Sequence, residues 1–279
     1  MTHNTIKKIT SKTLIYLVLI LHSIMIIAPL LLMILSSLKK SRAIFQEPFG
    51  LPKPVHWGNF EKLFVQQNYL SYFANSIIVT LFALATIIVF ASLASYAIGK
   101  YSFKGNAQVY TFFILGLMIP IRLGTINIMQ MFITMDLFNK LLALVIVYAA
   151  MGIPAGIMIL TGFIRDIPDE LSDAARIDGC SETGIFIRII VPLLSPAIVV
   201  AAVYNLMPIW NDFWFPLVLI NKDQLSTIPL ATARLFGKHE TDFGLLYAIL
   251  TAAAIPPIAL FVGLSKYFIK GLTSGAVKG

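Results

Sequence analysis

The side chains that could do chemistry in this chain are concentrated in one charged stretch, residues 166–182. The single cysteine of the chain, Cys180, lies in this stretch, so the chain can form neither an intramolecular disulfide nor a thiolate metal cluster. No pair of His, Cys, Ser or acidic residues has catalytic or metal-ligand spacing, and no G-x-x-x-x-G-K-[ST] phosphate-binding motif occurs. The sequence therefore predicts neither an enzyme nor a subunit with its own metal, cofactor or ATP site. Six of the thirteen acidic residues fall in the seventeen positions of this stretch: Asp166, Asp169, Glu170, Asp173, Asp178 and Glu182.

The rest of the chain is apolar and indicates an all-α integral membrane protein. Of its residues 58% are hydrophobic and 12% charged, with a mean hydropathy of +0.85, whereas about a quarter of the residues in soluble proteins are charged. A helix needs about 20 apolar residues to cross the hydrocarbon core. Six segments meet this requirement, which predicts a polytopic protein with six transmembrane helices. They run approximately over Leu14–Leu35, Phe73–Ile98, Tyr110–Met131, Leu141–Ile164, Pro196–Ile220 and Gly244–Leu264.

The formal net charge of +8 points to anionic lipid headgroups rather than nucleic acid, because the basic residues lie at the ends of the spans. An even number of spans puts both termini on one side of the membrane. With the termini inside, 11 of the 21 Lys and Arg residues lie in inner segments, so the positive-inside rule supports this orientation only weakly. Basic residues on both sides of the first span indicate a retained helix rather than a cleaved signal peptide.

Proline and glycine within the spans predict local irregularity. Pro120, Pro154 and Pro208 each remove an intrahelical hydrogen bond and are expected to kink their helices. Gly152 and Gly156 form a Gly-xxx-Gly pair that would allow another helix to approach closely.

The charged stretch is predicted to form two short helices joined by a glycine turn. Pro168 suits a first helical turn, and the acids that follow it favour the positive end of the helix dipole. Gly179 suits the left-handed position after a helix, Ser181 can cap a second helix, and Pro192 and Pro196 are expected to stop that helix. Alanine and glycine at the bend would suit a docking surface, although a plain solvated connector has the same pattern. The face of the first helix is expected to consist of Leu171, Ala174, Ala175 and Asp178.

The segment DAARIDGCSETGIFIRIIVP resembles the EAA signature of binding-protein-dependent ABC importers: Glu-Ala-Ala, three residues, Gly, nine residues, Ile, one residue, Leu-Pro. Asp173 stands for the usual glutamate and Val191 for the usual leucine. The stretches NSIIVT, DELSDAARIDG, WNDFWFPL and KYFIKGLTSGAVKG are similar to the second membrane subunit of maltose-type sugar importers, and the resemblance covers residues 10–279. The EAA positions are occupied by Asp173, Ala174, Ala175, Gly179, Ile189, Val191 and Pro192.

This resemblance implies a type I ABC importer permease fold and a function as the transmembrane subunit of an ATP-driven importer for a sugar or oligosaccharide. The implied partners are a second homologous permease, two ATP-binding-cassette ATPase subunits that bind the ATP, an extracellular solute-binding protein and membrane lipid. The EAA loop, residues 165–195, would dock on an ATPase subunit in the cytoplasm. Both termini of this multi-pass chain would then be cytoplasmic in the plasma membrane of a prokaryote. The implied ATPase-coupling residues are Asp173, Ala174, Ala175, Asp178, Gly179, Ile189 and Pro192.

The resemblance also divides the chain into three parts. Residues 1–72 would hold the N-terminal tail, the first transmembrane helix and an extracellular loop. Residues 73–270 would form the permease core, with five transmembrane helices and the EAA loop. Residues 271–279 would be a cytoplasmic tail, similar to tails that reach the ATPase interface.

Sugars are bound by hydrogen-bonding side chains and aromatic faces, and such residues are dense in the segment YNLMPIWNDFWF, residues 204–215. An alternative is that its tryptophans form an interface belt and its polar residues satisfy backbone groups freed by Pro208 and Pro216. In maltose-type importers the first permease supplies most transmembrane sugar contacts, so this subunit is expected to carry few. The candidate substrate-path residues are Tyr204, Asn205, Trp210, Asn211, Asp212, Asn127 and Gln130, with Trp214 beside them.

The alternative from another functional class is an ion-coupled secondary carrier, which would keep ionisable residues in mid-membrane as a relay. The candidates are His22, Arg122 and Asp212. His22 is alone in its span and is expected to be a packed neutral imidazole. Arg122 follows the proline of the third span and could extend to the membrane interface.

Overall fold

The structure, a computed structural model, describes residues 2–66, 68–236 and 242–276, whose regular secondary structure is entirely helical. The α-helices are α1 (Thr2–Ser37), α2 (Ser41–Gln46), α3 (Gly58–Glu61), α4 (Tyr69–Lys100), α5 (Asn106–Gly116), α6 (Thr125–Thr134), α7 (Leu141–Arg165), α8 (Asp169–Ile177), α9 (Glu182–Ile185), α10 (Val191–Leu193), α11 (Ser195–Asn211), α12 (Trp214–Leu219), α13 (Ile228–Phe236) and α14 (Phe243–Ala276). Short 3-10 and π turns connect several of them. The all-α class predicted from the sequence is confirmed.

Four helical segments are long and apolar enough to cross a membrane by themselves: Lys12–Ser37, Tyr69–Lys100, Leu141–Arg165 and Phe243–Gly263. Two further pairs of helices pass the same test together but are sharply bent. These are Asn106–Gly116 with Ile121–Thr134, bent by 75°, and Glu182–Leu193 with Ser195–Asn211, bent by 72°. The described chain therefore holds up to six spans when each bent pair is taken as one, which agrees in number with the six apolar segments of the sequence. The first helix of the second pair precedes the predicted fifth span, so the bounds of that span differ.

The third and fifth spans differ from the predicted continuous helices. Around Pro120 the helix is broken rather than kinked, since α5 ends at Gly116 and a 3-10 turn leads into α6. The fifth predicted span, Pro196–Ile220, is split because α11 ends at Asn211 and Asp212 is extended, with ψ of 128°. Proline lacks the N–H that would continue the backbone ladder, so Pro120 favours such a break.

The first compact unit contains residues 1–69 and 234–254. In the most apolar stretch of α1, none of the residues is buried against the rest of the described chain. His22 is exposed there, so the prediction of a packed imidazole is wrong. Beyond α1 the chain is held by polar contacts: Asn59 donates to the carbonyls of Ser37 and Lys39, both at 2.8 Å. Asp242 accepts hydrogen bonds from Ser41 and Lys62.

The second compact unit contains residues 70–233 and 255–279, and its core is formed by α4, α7 and α11. The Gly-xxx-Gly pair of α7 lies against α4. A Cβ at Gly152 would be 2.3 Å from Ile87 Cδ1, and one at Gly156 would be 2.7 Å from Ala91 Cβ. Only glycine permits this approach, so the predicted close helix contact is confirmed.

Candidate functional site

The EAA loop folds as two helical segments around a sharp glycine bend. α8 begins directly after Pro168 and ends at Ile177. Gly179 has φ of +78°, the left-handed conformation that glycine adopts without steric cost. Ser181 Oγ then accepts a hydrogen bond from the N–H of Gly184 at 3.2 Å and caps α9. The predicted helix–glycine–helix arrangement is confirmed.

The second helical segment of the loop ends at Leu193, between Pro192 and Pro196, the two prolines that were predicted to stop it. It runs from Glu182 to Leu193, and a π turn over Phe186–Ile190 precedes Pro192. A wider turn accommodates the missing N–H and the bulk of the proline ring, so the segment continues for one more residue. The chain then bends by 72° into α11.

Lys100, the last residue of α4, holds the start of the EAA loop. Its Nζ donates to a carboxylate oxygen of Asp169 at 2.6 Å and also to the carbonyl oxygen of Ile167. The Lys100 side chain is 6% exposed, whereas that of Asp169 is 78% exposed. The hydrogen bond and positive charge of Lys100 lower the pKa of the Asp169 carboxyl below its usual range. The loop is therefore anchored to α4 by a cation that is itself out of water.

Glu182 makes a second set of contacts between the loop and α4. Its carboxylate accepts hydrogen bonds from Arg176 Nε at 2.7 Å, from the Tyr101 hydroxyl at 2.5 Å and from the Tyr96 hydroxyl at 3.3 Å. Arg176 also pairs with Asp173 at 2.7 Å. The network joins both arms of the bend to the end of α4. The sequence did not identify this role for the acids, because the partners are distant along the chain.

The outer surface of α8 differs from the face predicted for it. Ala175 is buried in the core with Ser172, so it does not lie on the free surface beside Ala174. Ile177, which the sequence analysis overlooked, is 87% exposed next to the glycine bend. Of the other predicted coupling residues, Ile189 is packed against the core; the exposed ones are Asp173, Ala174, Asp178, Gly179 and Pro192.

A cleft of about 530 Å³ lies in the second unit, between the end of α11 and neighbouring residues of α7 and the α5–α6 connection. Four of the candidate substrate-path residues line it, namely Tyr204, Asn205, Asn211 and Asp212, and Trp214 lines it as well. The other three do not. Trp210 is buried and stacks edge-on against Phe73, with ring centroids 6.4 Å apart. Asn127 and Gln130 are exposed on α6.

Asp212 is the centre of the polar contacts in the cleft. Its Oδ2 accepts a hydrogen bond from the Tyr148 hydroxyl at 2.9 Å and from the N–H of Phe215 at 3.0 Å. The second contact caps the start of α12 and explains why the fifth span is interrupted here. Asp212 Oδ1 lies 3.5 Å from Arg122 Nη2. Arg122 therefore pairs with Asp212, and Tyr148 is a cleft residue that sequence reasoning missed.

The neighbouring amides donate to helix carbonyls one turn back. Asn205 donates to the carbonyl of Ala201 at 2.9 Å, and Asn211 donates to that of Met207 at 3.0 Å. Pro208 removes the helical donor to the carbonyl of Tyr204, and neither amide donates to that carbonyl, so these contacts differ from those of the alternative interpretation. Among the described residues there is also no group of three or more His, Cys, Asp or Glu side chains that could hold a metal ion.

Residues 87–274, which include the EAA loop and the cleft, match the family described as "Binding-protein-dependent transport system inner membrane component". The chain therefore belongs to this family, and it is a multi-pass membrane protein with the fold of an ABC importer permease.

Individual relatives cover almost the whole chain. The "Probable ABC transporter permease protein YurM" of Bacillus subtilis is 34% identical over 96% of this chain and 89% of its own length. The "Arabinooligosaccharides transport system permease protein AraQ" of Halalkalibacterium halodurans is 31% identical over 90% and 91%, respectively. The "Melibiose/raffinose/stachyose import permease protein MelC" of Bacillus subtilis is also 31% identical, over 90% and 91%.

A solved structure gives the same fold. A chain of a bacterial ABC transporter involved in the import of the acidic polysaccharide alginate superposes with a TM-score of 0.77, and the match covers 96% of this chain and 98% of that chain. The two sequences are 20% identical, so the likeness concerns the fold alone.

Proposed function

We propose that this chain is one of two homologous permease subunits of an ATP-driven importer for a sugar or oligosaccharide. Relatives at about one-third identity are named as permeases for arabinooligosaccharides and for melibiose, raffinose and stachyose. The other parts of the importer would be a second permease, two ATPase subunits that bind and hydrolyse ATP, and an extracellular solute-binding protein. The ion-coupled carrier is disfavoured by family membership, and two of its three candidate relay residues, Arg122 and Asp212, pair with each other.

The observation that carries the coupling part of this proposal is the exposure of Ile177 on an anchored helix. An isoleucine that is 87% exposed beside acidic residues is a suitable centre for a protein interface, because burying it on a partner removes apolar surface from water. The helix that presents it cannot swing freely, since both arms of the bend are tied to α4 through Lys100 and Glu182. A partner that moves Ile177 would therefore move α4.

In the proposed mechanism an ATPase subunit docks on the exposed part of α8. When the two ATPase subunits close on ATP, the two EAA loops of the paired permeases are drawn together. Lys100 and Glu182 pass the displacement to α4, and the 72° bend between Leu193 and Ser195 passes it to α11. In this mechanism the EAA loop and both termini would lie in the cytoplasm, with the chain in the plasma membrane of a prokaryote.

Site-directed crosslinking tests the docking and the orientation together. In a Cys180→Ser background, Ile177→Cys is expected to crosslink to cysteines placed in the docking cleft of a co-expressed ATPase subunit. The matched control is Lys53→Cys, which lies in the loop after the first span that the proposal puts outside the cell. Crosslinking of the control to the ATPase, with none at position 177, would overturn the orientation.

Transport assays separate the two functional classes. Proteoliposomes that contain the assembled importer are expected to accumulate labelled oligosaccharide when ATP and the binding protein are supplied. Accumulation should be unaffected by ionophores that collapse proton and sodium gradients. Uptake that needs an ion gradient and ignores ATP would support the secondary carrier instead.

A further inference from the structure

We propose that the Arg122–Asp212 ion pair makes the cleft selective for uncharged saccharides. The inference deepens the proposed function and rests on it, because a charge pair in this chain can select a sugar only if sugars pass along the cleft. It goes beyond the coupling role of the EAA loop and assigns a specificity-determining pair to this subunit.

The two charges of the pair are unequally exposed. The Asp212 side chain is 8% exposed, whereas that of Arg122 is 67% exposed. Both line the cleft, and they are the two charged residues among the described residues that do so. A solute in the cleft would therefore contact the guanidinium of Arg122 directly. The carboxylate of Asp212 would affect the solute only by balancing the charge of that guanidinium.

The hydrogen bonds of the pair are also uneven, because Asp212 has several donors around it whereas Arg122 has one ion-pair partner in the described part of the chain. Asp212 already accepts from Tyr148 and from the N–H of Phe215, and its other oxygen faces Arg122 at 3.5 Å. A guanidinium has five N–H donors, and in the described part of the chain Asp212 is the ion-pair partner of Arg122. Most of its donors therefore remain available to hydroxyl groups in the cleft, while its charge is balanced by a fixed carboxylate.

The rest of the lining suits a saccharide. Trp214 is partly exposed, and its indole N–H donates to Thr125 Oγ at 2.9 Å, which fixes the orientation of the ring. Tyr204 also lines the cleft and is 56% exposed, and Asn211 is exposed beside Asp212. Aromatic faces and neutral hydrogen-bonding groups around a balanced ion pair bind hydroxyl-rich, uncharged solutes.

The charge balance predicts how selectivity changes when one partner is neutralised. In Asp212→Asn the amide oxygen can still accept from Tyr148 and cap α12, since asparagine is as good a cap as aspartate. The guanidinium of Arg122 then has no balancing charge and can bind a carboxylate through two parallel hydrogen bonds. The variant cleft should therefore accept acidic sugars, such as oligogalacturonates.

The test is a binding measurement on the chain assembled with its partner permease and ATPase subunits in nanodiscs, without the binding protein. Saturation-transfer-difference NMR would compare raffinose, a neutral trisaccharide, with trigalacturonate, an acidic one. The wild type should prefer raffinose. Asp212→Asn should raise the affinity for trigalacturonate about tenfold, the effect of roughly one unbalanced charge in a partly hydrated site. Its affinity for raffinose should change less than about twofold.

Three further variants make the result specific. Arg122→Gln leaves an unbalanced carboxylate and should weaken trigalacturonate binding, and the double variant Arg122→Gln with Asp212→Asn should return to the wild-type preference. Gln108→Lys adds the same net charge at an exposed position of α5 outside the cleft and should change nothing. Equal preference in the wild type and in Asp212→Asn, with normal thermal unfolding, would overturn the inference. If the wild type still shows ATP-driven sugar uptake, only the selectivity proposal is overturned and the proposed function is kept. If the wild type takes up no oligosaccharide with ATP, the proposed function is overturned as well.

Discussion

Replacing Gly179 is the sharpest test of the idea that the bend of the EAA loop transmits force. The residue has φ of +78°, and an added Cβ would have no heavy atom within 4 Å. An added Cβ therefore meets no obstacle within this chain, and the cost of alanine at this position is conformational. The left-handed conformation costs an ordinary residue about 1–2 kcal/mol, and asparagine adopts it more readily. The equilibrium between bent and unbent loop should shift by about 5- to 30-fold for Gly179→Ala.

The expected order of transport activity follows from these costs. ATP-driven uptake should be nearly normal for Gly179→Asn, clearly reduced for Gly179→Ala and abolished for Gly179→Val, because a β-branched residue is a true outlier at this φ. All three variants should reach the membrane in normal amounts. The measurement is initial uptake rate alongside ATP hydrolysis in proteoliposomes.

Gly105 provides a matched control in the same chain. It has φ of +93°, its added Cβ would also find nothing within 4 Å, and it lies in the turn before α5, outside the EAA loop. Gly105→Val should lower thermal stability as much as Gly179→Val but leave the ratio of uptake to ATP hydrolysis unchanged. If both valine variants uncouple transport equally, or if Gly179→Val transports normally, the bend is an ordinary connector.

Three further predictions concern α4 and its contacts. Lys100→Met keeps the apolar stem of the side chain but removes its hydrogen-bond donors, so the uptake per ATP hydrolysed should fall severalfold. The control is Lys104→Met, at an exposed position in the turn after α4, which should have no effect. Gly152→Val would clash with α4 and should destabilise the fold by about 1–3 kcal/mol in thermal unfolding, while Gly162→Val, with open space around its Cβ, should be nearly neutral. The lowered pKa of Asp169 means that its ion pair is fully formed above the ordinary carboxyl range and is lost only below about pH 4. Amide hydrogen exchange of residues 167–171, corrected for intrinsic rates, should therefore stay constant from pH 8 to about pH 4 and rise below it.

The parts of the fold that could be predicted from the sequence depend on local signals. Hydropathy located the apolar segments because each span must satisfy its backbone groups within itself. Pro168, Gly179 and Ser181 marked the start, the bend and the second cap of the EAA loop because each acts on its own stretch of backbone. The close approach at Gly152 and Gly156 was predictable for the same reason, since the absence of a side chain is visible in the sequence.

The features that could not be predicted depend on partners far away in the chain. The contact of Lys100 with Asp169 joins residues 69 positions apart, and that of Arg122 with Asp212 joins residues still more distant. At the interruption of the fifth span, Asp212 accepts from the N–H of Phe215 at the start of α12 and from Tyr148, and it pairs with Arg122, two residues that are distant along the chain. Hydropathy alone cannot detect such contacts.

The EAA loop and the cleft are connected by one helix. α4 ends at Lys100, which holds the loop, and thirteen residues earlier Ile87 lies against Gly152. A Cβ at Gly152 would also be 2.6 Å from Asn205 Oδ1, so this contact borders the cleft. Thirteen residues span about 20 Å of α-helix. α4 contains no proline, so it has no built-in kink to absorb a displacement. A movement imposed on Ile177 by an ATPase subunit would thus reach the cleft wall as a rigid-body shift of α4, because packed, uninterrupted elements carry energetic coupling between distant sites.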